Sequence, residues 1–159
     1  MNKEKINWCL QQKKGIELIE PKQHLSEAYM NEADETLENV FTTTGKWKVI
    51  TAYYACYNAV YALLMKAGIK SEIHDCTIAL MGLFGFESSE IEFIQKLKKD
   101  RIDTQYYLKE KVLENEDLIK EFVQKSKLLL NNLNTQKTEE IREEIMKISQ
   151  KKGGSTANE

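Results

Sequence analysis

The chain has 159 residues, 42% hydrophobic and 30% charged, with 23 basic against 25 acidic side chains and a formal net charge of -2. That length suits one domain able to bury about 70% of its unfolded surface without help from a disulfide or a metal. The charge balance removes any general attraction to nucleic acid or anionic lipid, so no DNA binding is expected and a nucleotide or RNA contact has to be local. Cys9, Cys56 and Cys76 are odd in number and lack CxxC spacing, which reads as reduced thiols in a cytoplasmic protein. The opening residues, MNKEKINW, are too charged and interrupted for a signal-peptide apolar region.

In chain order, residues 3–18 read as a short helix carrying Ile6, Trp8, Leu10, Ile16 and Leu18, interrupted by Gly15. Pro21, the only proline, marks a break, because the residue before a proline is pushed out of helical geometry. From Lys22 to Thr43 the apolar positions Leu25, Tyr29, Ala33, Leu37 and Val40 recur at helical spacing, with Glu27, Glu32, Glu35 and Glu38 turned to water.

Lys46 to Ala67 organises the chain. Trp47, Ile50, Tyr54, Tyr57, Tyr61 and Leu64 recur at alternating steps of three and four, which lines them on one helix face. Ala52, Ala55, Ala59 and Ala62 repeat those steps about 140° further round. A helix apolar on nearly all sides is either the central rod of a soluble bundle or a membrane span. Thr51, Asn58 and Lys66 interrupt the run and tyrosines fall near its middle, away from the interfacial depth they favour, so the bundle is expected and a membrane is not.

Gly68 closes this helix as a residue tolerant of positive φ. Ser71 is expected to cap a helix from about Glu72 to Leu83, with Asp75 in its first turn. Gly82, Leu83, Phe84, Gly85 and Phe86 make an apolar loop that has to be tucked against the core. Ser89 with Glu92 reads as a capping box opening a helix to about Leu108, with Ile91, Ile94 and Leu97 inward. Asn115 caps the next helix, to Asn132, and a charged helix from Thr138 to Gln150 carries Ile141, Ile145 and Ile148 on one face. Lys151 to Glu159 is expected to be disordered. No strand alternation or fixed-period repeat stands out, so the expected fold is all-α. It is an up-and-down antiparallel helical bundle of four to five main helices with short flanking helices, one domain over residues 1–150.

Arg101 is the most informative polar residue. It continues the stripe Ile91, Ile94, Leu97, where periodicity asks for an apolar side chain, and a buried guanidinium is costly unless it is ion-paired or aimed at an anionic ligand. An internal ion pair is the plainer of those two readings. Asn58 lies within a turn of Tyr54, Tyr57 and Tyr61; it reads as a core amide fixing register, or as the lining of a cleft shared with Arg101 and Tyr106. His24 reads as a surface residue and His74 as a hydrogen-bonded structural one. Consecutive His74, Asp75 and Cys76 point about 100° apart on a helix and do not converge on one ion, so no metal is expected. There is no phosphate-cradling glycine loop, nucleophile elbow or zinc spacing, so the familiar enzyme classes find no support and no cofactor is expected.

The segment YYACYNAVYALLMKAGIKSEIHD, Tyr53 to Asp75, resembles the signature region of the HEPN superfamily, in which an aromatic-small pattern on a central helix leads through a glycine turn into a Ser-x-x-His segment. LSEAYMNEADETLENV, Leu25 to Val40, is similar to the family's preceding helix, and RIDTQYY, Arg101 to Tyr107, to its arginine motif. The resemblance spans roughly residues 22 to 130. It implies a helical bundle, usually a homodimer, with a cleft near the arginine. Many such proteins are encoded beside a minimal nucleotidyltransferase as a toxin-antitoxin pair, and others are linked to nucleotide or RNA binding.

Ribonuclease members of that family carry a histidine four to six residues beyond the arginine. Here Arg101 is followed by Tyr106, Tyr107 and Leu108. A phenol with a pKa of about 10 is a poor base near neutrality, whereas an imidazole is a good one. Catalysis is therefore not expected. The candidate ligand-binding residues are Arg101, Asp103, Tyr106, Asn58 and Tyr54. The leading expectation is a cytoplasmic homodimer that binds a nucleotide, RNA or a minimal nucleotidyltransferase. The alternatives are a metal-independent ribonuclease toxin using Arg101 with Tyr106 or Asp103, and a purely structural interaction module.

Overall fold

The structure, a computed structural model of the chain, describes residues 1–151. In chain order the elements are α1 (Lys3–Gln11), β1 (Glu17–Leu18), α2 (Gln23–Thr42), α3 (Gly45–Ala67), β2 (Ile69–Lys70), α4 (His74–Ala79), a 3₁₀ turn (Met81–Phe84), α5 (Ser88–Tyr107), α6 (Glu116–Asn132) and α7 (Thr135–Gln150). It is the expected all-α bundle, and α3 is its axis. No helix among the described residues is long and apolar enough to cross a membrane.

The two stripes of α3 explain its central place. Ala52, Ala55, Ala59 and Ala62 are all fully buried, and α2 lies close enough along α3 for Ser26 Oγ to donate to the Ala62 carbonyl at 2.8 Å. That bond joins the first turns of α2 to the last turns of α3, so the two helices run antiparallel. On other sides, Arg101 of α5 meets Tyr54 near the middle of α3. α6 is held at both ends, by the Lys48–Glu116 ion pair and by Lys66 Nζ donating to the Leu130 carbonyl at 2.8 Å. Trp47, assigned by spacing to the aromatic stripe, is 57% exposed because it stands at the open end of the helix.

The expected ends largely hold. Gly68 has φ +71 and closes α3, Asn115 accepts from the Asp117 amide at the start of α6, and Ile141, Ile145 and Ile148 are buried on α7. Phe84 and Phe86 of the apolar loop are buried, Phe86 stacking on Phe122. Arg142 of α7 donates from Nη1 to the carbonyls of Ile19 at 2.9 Å, Ala67 at 3.1 Å and Gly68 at 2.6 Å. One guanidinium thereby answers carbonyls that the end of α3 leaves without helical partners.

Several local readings need correcting. The first helix stops at Gln11, and residues 17–18 pair antiparallel with residues 69–70. Between Gly15 and Pro21 there is too little chain for a helix, and pairing to β2 satisfies the backbone instead. Ser71 is no helix cap: its hydroxyl bonds the Ile73 carbonyl, and α4 begins only at His74 and is short. The capping box of α5 is Glu87 with Glu90, two residues before Ser89 and Glu92, because burial of Phe86 fixes where the chain turns into the helix. α7 starts at Thr135 under an Asn134 cap. The expected disordered tail lies, beyond Lys151, outside the described residues.

The cysteine reading is overturned for two of the three residues. Cys9 on α1 and Cys76 on α4 form a disulfide across 67 residues of sequence, with their Cα atoms 5.7 Å apart. Packing α1 against α4 brings together thiols whose spacing gives no hint of pairing. Cys56, buried on α3, is the free one, and it makes the count odd.

Candidate functional site

The site grows from the face of α3 that meets α4 and α5. Tyr53, Tyr54, Tyr57 and Tyr61 follow one another along that helix, and His74, at the start of α4, is inserted among them. The imidazole stacks on Tyr57 with ring centroids 4.2 Å apart and lies nearly parallel to Tyr53 at 5.7 Å. Its Nδ1 is 2.7 Å from the Tyr53 phenol oxygen. Further along, the Tyr57 hydroxyl lies 3.2 Å from Thr77 Oγ1, and the Tyr61 phenol accepts from the Ser71 amide at 3.3 Å. These three phenols thus find polar partners on the segment after Gly68, which is what a buried Tyr requires.

These contacts set the electrostatics. Burial pushes the Tyr53 hydroxyl well above the usual phenol range and the Tyr57 hydroxyl up to about 12. Burial, and then the positive charges of Arg101 and Lys98, hold the His74 pKa below its ordinary 6.5, against a smaller opposite pull from Asp75. Tyr53 and His74 are therefore both neutral near neutral pH. The Tyr53 hydroxyl and His74 Nδ1 share one hydrogen bond, and the tautomer of the neutral ring sets which of the two donates.

Arg101 occupies the inward position that helical spacing assigns it and is 7% exposed. Its Nη1 donates to the Tyr54 hydroxyl at 3.0 Å and to Gln105 Oε1 at 3.4 Å. The guanidinium lies 4.9 Å from the centre of the Tyr53 ring and 5.4 Å from that of Tyr54. Its Nε, although buried, has no hydrogen-bond partner. No carboxylate among the described residues pairs with it: Asp100 and Asp103 go to Lys96, Lys109 and Lys111, and Asp75 to Lys98. The plainer reading of Arg101, an internal ion pair, is therefore not what the fold provides. Two aromatic faces and two neutral acceptors hold the charge instead.

Of the residues picked out by sequence, Tyr54 and Arg101 come together. Asp103 is buried on another side of α5, beside Lys109 and Lys111. Tyr106 is 66% exposed on the last turn of α5, five residues from Arg101 and so about 140° around the helix from it. Asn58 is half-buried one turn beyond Tyr54. Outside the candidate ligand-binding set stood Tyr53, which belongs to neither stripe, and His74, read as a hydrogen-bonded structural residue, which it is, but 27 positions before Arg101 and brought to its neighbourhood only through the turn after Gly68. The adjacent pair Tyr53-Tyr54 was the available signal: neighbouring aromatic residues on one helix cannot both lie on a single stripe.

Chemically, the arrangement offers a positive charge without a counter-ion and a neutral imidazole held by a phenol, with the Lys98–Asp75 ion pair at its edge. Such a set can receive an anionic group. The chain matches no family model, and no curated protein matches it closely enough to count as a relative.

Proposed function

We propose that this is a HEPN-type helical protein that acts as a homodimer and binds a nucleotide, RNA or a minimal nucleotidyltransferase partner through the surface around Arg101, without catalysis of its own. The observation that carries the reading is Arg101, 7% exposed and without a carboxylate partner among the described residues. A buried guanidinium held only by neutral groups is stabilised further when an anion arrives. Supporting the dimer, Tyr106, Tyr107, Leu108 and Val112 are between 66% and 80% exposed in one run of chain. So much apolar side chain in water at one end of a bundle is what an interaction surface looks like before it is covered. The location proposed is the cytoplasm; a stable Cys9–Cys76 bond runs against a reducing compartment, so thiol trapping in rapidly quenched cells is the check on it.

The experiment is titration of the full chain with nucleoside phosphates and short labelled RNA, in parallel with Arg101→Met, together with light scattering for the oligomeric state. Co-purification with a nucleotidyltransferase encoded next door covers the partner arm. Binding lost in Arg101→Met supports the reading. A monomer with no nucleotide, RNA or nucleotidyltransferase bound would leave only a structural module.

A second reading is favoured by one specific contact. His74, linked to Tyr53 beneath the Arg101 guanidinium, places an imidazole near the arginine from another element, where position 106 carries a phenol. A metal-independent ribonuclease would use Arg101 on the scissile phosphate and His74 as proton acceptor. Growth arrest on expression, relieved by His74→Gln as well as by Arg101→Met, would support it.

A further inference from the structure

The Cys9–Cys76 bond fastens a helix that little else holds. α1 has nine residues, a length at which a helix is marginal by itself in water, and it packs chiefly on α4 and α7. Only its Ile6 and Cys9 are buried. Among the described residues no hydrogen bond joins Lys3–Gln11 to another helix or strand. The ion pair of Lys3 with Glu144, at 3.3 Å, lies between side chains that are 54% and 32% exposed, and a pair so wet adds little. Two clefts flank the helix, one of about 520 Å³ against Glu144 and Ile148 of α7, the other of about 460 Å³ against Ile78 of α4 and Gln95 of α5. Apart from the disulfide, burial of Ile6 is the main attachment of α1.

The chain is secured again just after this helix. The Glu72 amide donates to the Lys14 carbonyl at 2.9 Å, and residues 17–18 pair with residues 69–70. Between the two anchorages, Gln12 leaves the helix with extended backbone and Lys14 has φ +66, a left-handed value that costs a residue with a side chain. Residues 12–15 therefore form a hinge on which α1 can lift without disturbing β1, at the loss of the bond from the Ile16 amide to the Cys9 carbonyl at 3.1 Å. α4, at the other end of the disulfide, has ties that do not involve α1: His74 to Tyr53, Thr77 to Tyr57 and Asp75 to Lys98. Without the disulfide, α1 is free to leave and α4 is not.

We propose that the Cys9–Cys76 bond is a reversible redox switch: oxidised, it straps α1 over α4; reduced by a dithiol, it releases α1, uncovers Cys76 and Ile78, and opens the cleft between α4 and α5. Both sulfurs are buried, so a reductant reaches them while α1 is lifted. A thiolate of the reductant attacks one sulfur and expels the other as a thiolate. Its second thiol then attacks the mixed disulfide, so the chain gains two electrons and two protons and the reductant leaves as a disulfide. In the reverse direction a peroxide oxidises one thiolate to a sulfenic acid, and the second thiol displaces its oxygen as water. The switch does not depend on what the surface around Arg101 binds.

Hydrogen exchange of the full chain, oxidised and after treatment with dithiothreitol, tests the release. Reduction should bring the amides of residues 3–11 to within about tenfold of unstructured rates while those of α3 stay protected. Cys9 and Cys76 should then take up iodoacetamide, and Cys56, buried on α3, should not. The rate of reduction should be nearly flat in urea below the unfolding transition, because lifting one short helix exposes little surface. Ile6→Ala, which weakens the anchor without touching either sulfur, should speed reduction at least about tenfold. Cys9→Ser with Cys76→Ser should show α1 released with no reductant present and no response to one. Mixtures of reduced and oxidised glutathione should populate both states of the parent with the bundle still folded. The proposal is overturned if α1 is equally protected in both states, if reduction accelerates with urea as steeply as global unfolding, if Cys9 and Cys76 are labelled no faster than Cys56, or if glutathione leaves the bond wholly intact.

Discussion

Arg101 Nη1 and the Tyr54 hydroxyl lie 3.0 Å apart, and this bond between α5 and α3 is one of the few polar attachments of a guanidinium almost wholly inside the fold. Because no carboxylate among the described residues shares it, Arg101→Met should behave unlike the breaking of a buried ion pair. Removing one partner of such a pair strands the other charge and costs about 3–5 kcal/mol, whereas replacing an unpaired buried cation by an apolar side chain of similar length should change stability by about 1 kcal/mol or less. Tyr54→Phe should cost about 2 kcal/mol in the parent and much less in the Arg101→Met background. Urea unfolding of the two single variants and the double variant measures both values. A loss above about 3 kcal/mol in Arg101→Met would mean that a counter-ion had gone with it.

His74 makes stability depend on pH in a stated direction. Its folded pKa is below 6.5, chiefly through burial and then through Arg101 and Lys98, so the native state prefers the neutral ring. As pH falls below about 6.5 the unfolded chain takes up this proton before the folded chain does, and stability declines until pH passes the lowered native value, where this contribution levels off. Above about 6.5 both states are neutral and the group contributes no slope. His74→Gln should flatten that part of the curve. Unfolding free energies collected for both proteins from neutral pH downward test it, and parallel curves would count against a buried neutral His74.

The bundle was legible because its signals are repetitive. The alanine and tyrosine rows of α3, Gly68 at its end and the isoleucines of α7 each repeat or punctuate a helical period, and each holds. Arg101 was legible for the same reason, as a break in a row. What was missed depends on contacts between distant segments. Cys9 meets Cys76 only because α1 packs on α4, and His74 meets Tyr53 only because the chain reverses at Gly68. The expected partner for Tyr106 failed to appear for a local reason: five residues turn a helix through about 500°, which carries position 106 away from position 101.

The Cys9–Cys76 bond ties α1 to the same short helix that carries His74. Closing 67 residues of chain removes entropy from the unfolded state equivalent to about 4 kcal/mol on the chain-entropy account. Cys9→Ala with Cys76→Ala should therefore lower the unfolding free energy by about 2–4 kcal/mol. The same loss should follow reduction of the parent. Equal stability of the oxidised and reduced chains would show that the bond adds nothing to the stability of the fold.

Gly68 is the position where one added methyl group should do most harm. Its φ of +71 lies in the left-handed region, and a Cβ there would stand 2.4 Å from the Ile19 carbonyl oxygen, 2.6 Å from Arg142 Nη1 and 2.9 Å from the Pro21 nitrogen. Two of those three neighbours are backbone, held in place by the β1–β2 pairing and by the Ile19 amide donating to the Gly68 carbonyl at 2.8 Å. Arg142 can swing aside, but then it gives up the carbonyls of Ile19, Ala67 and Gly68 together. The left-handed conformation alone costs an alanine about 1 kcal/mol, and displaced backbone adds to it. Gly68→Ala should therefore lose at least about 2–3 kcal/mol, whereas Gly45→Ala, at a similar φ but with open space around it, should lose only about 1 kcal/mol. Thermal or urea unfolding of the pair reads the difference directly, and equal losses would show that backbone conformation rather than the Arg142 clamp limits position 68.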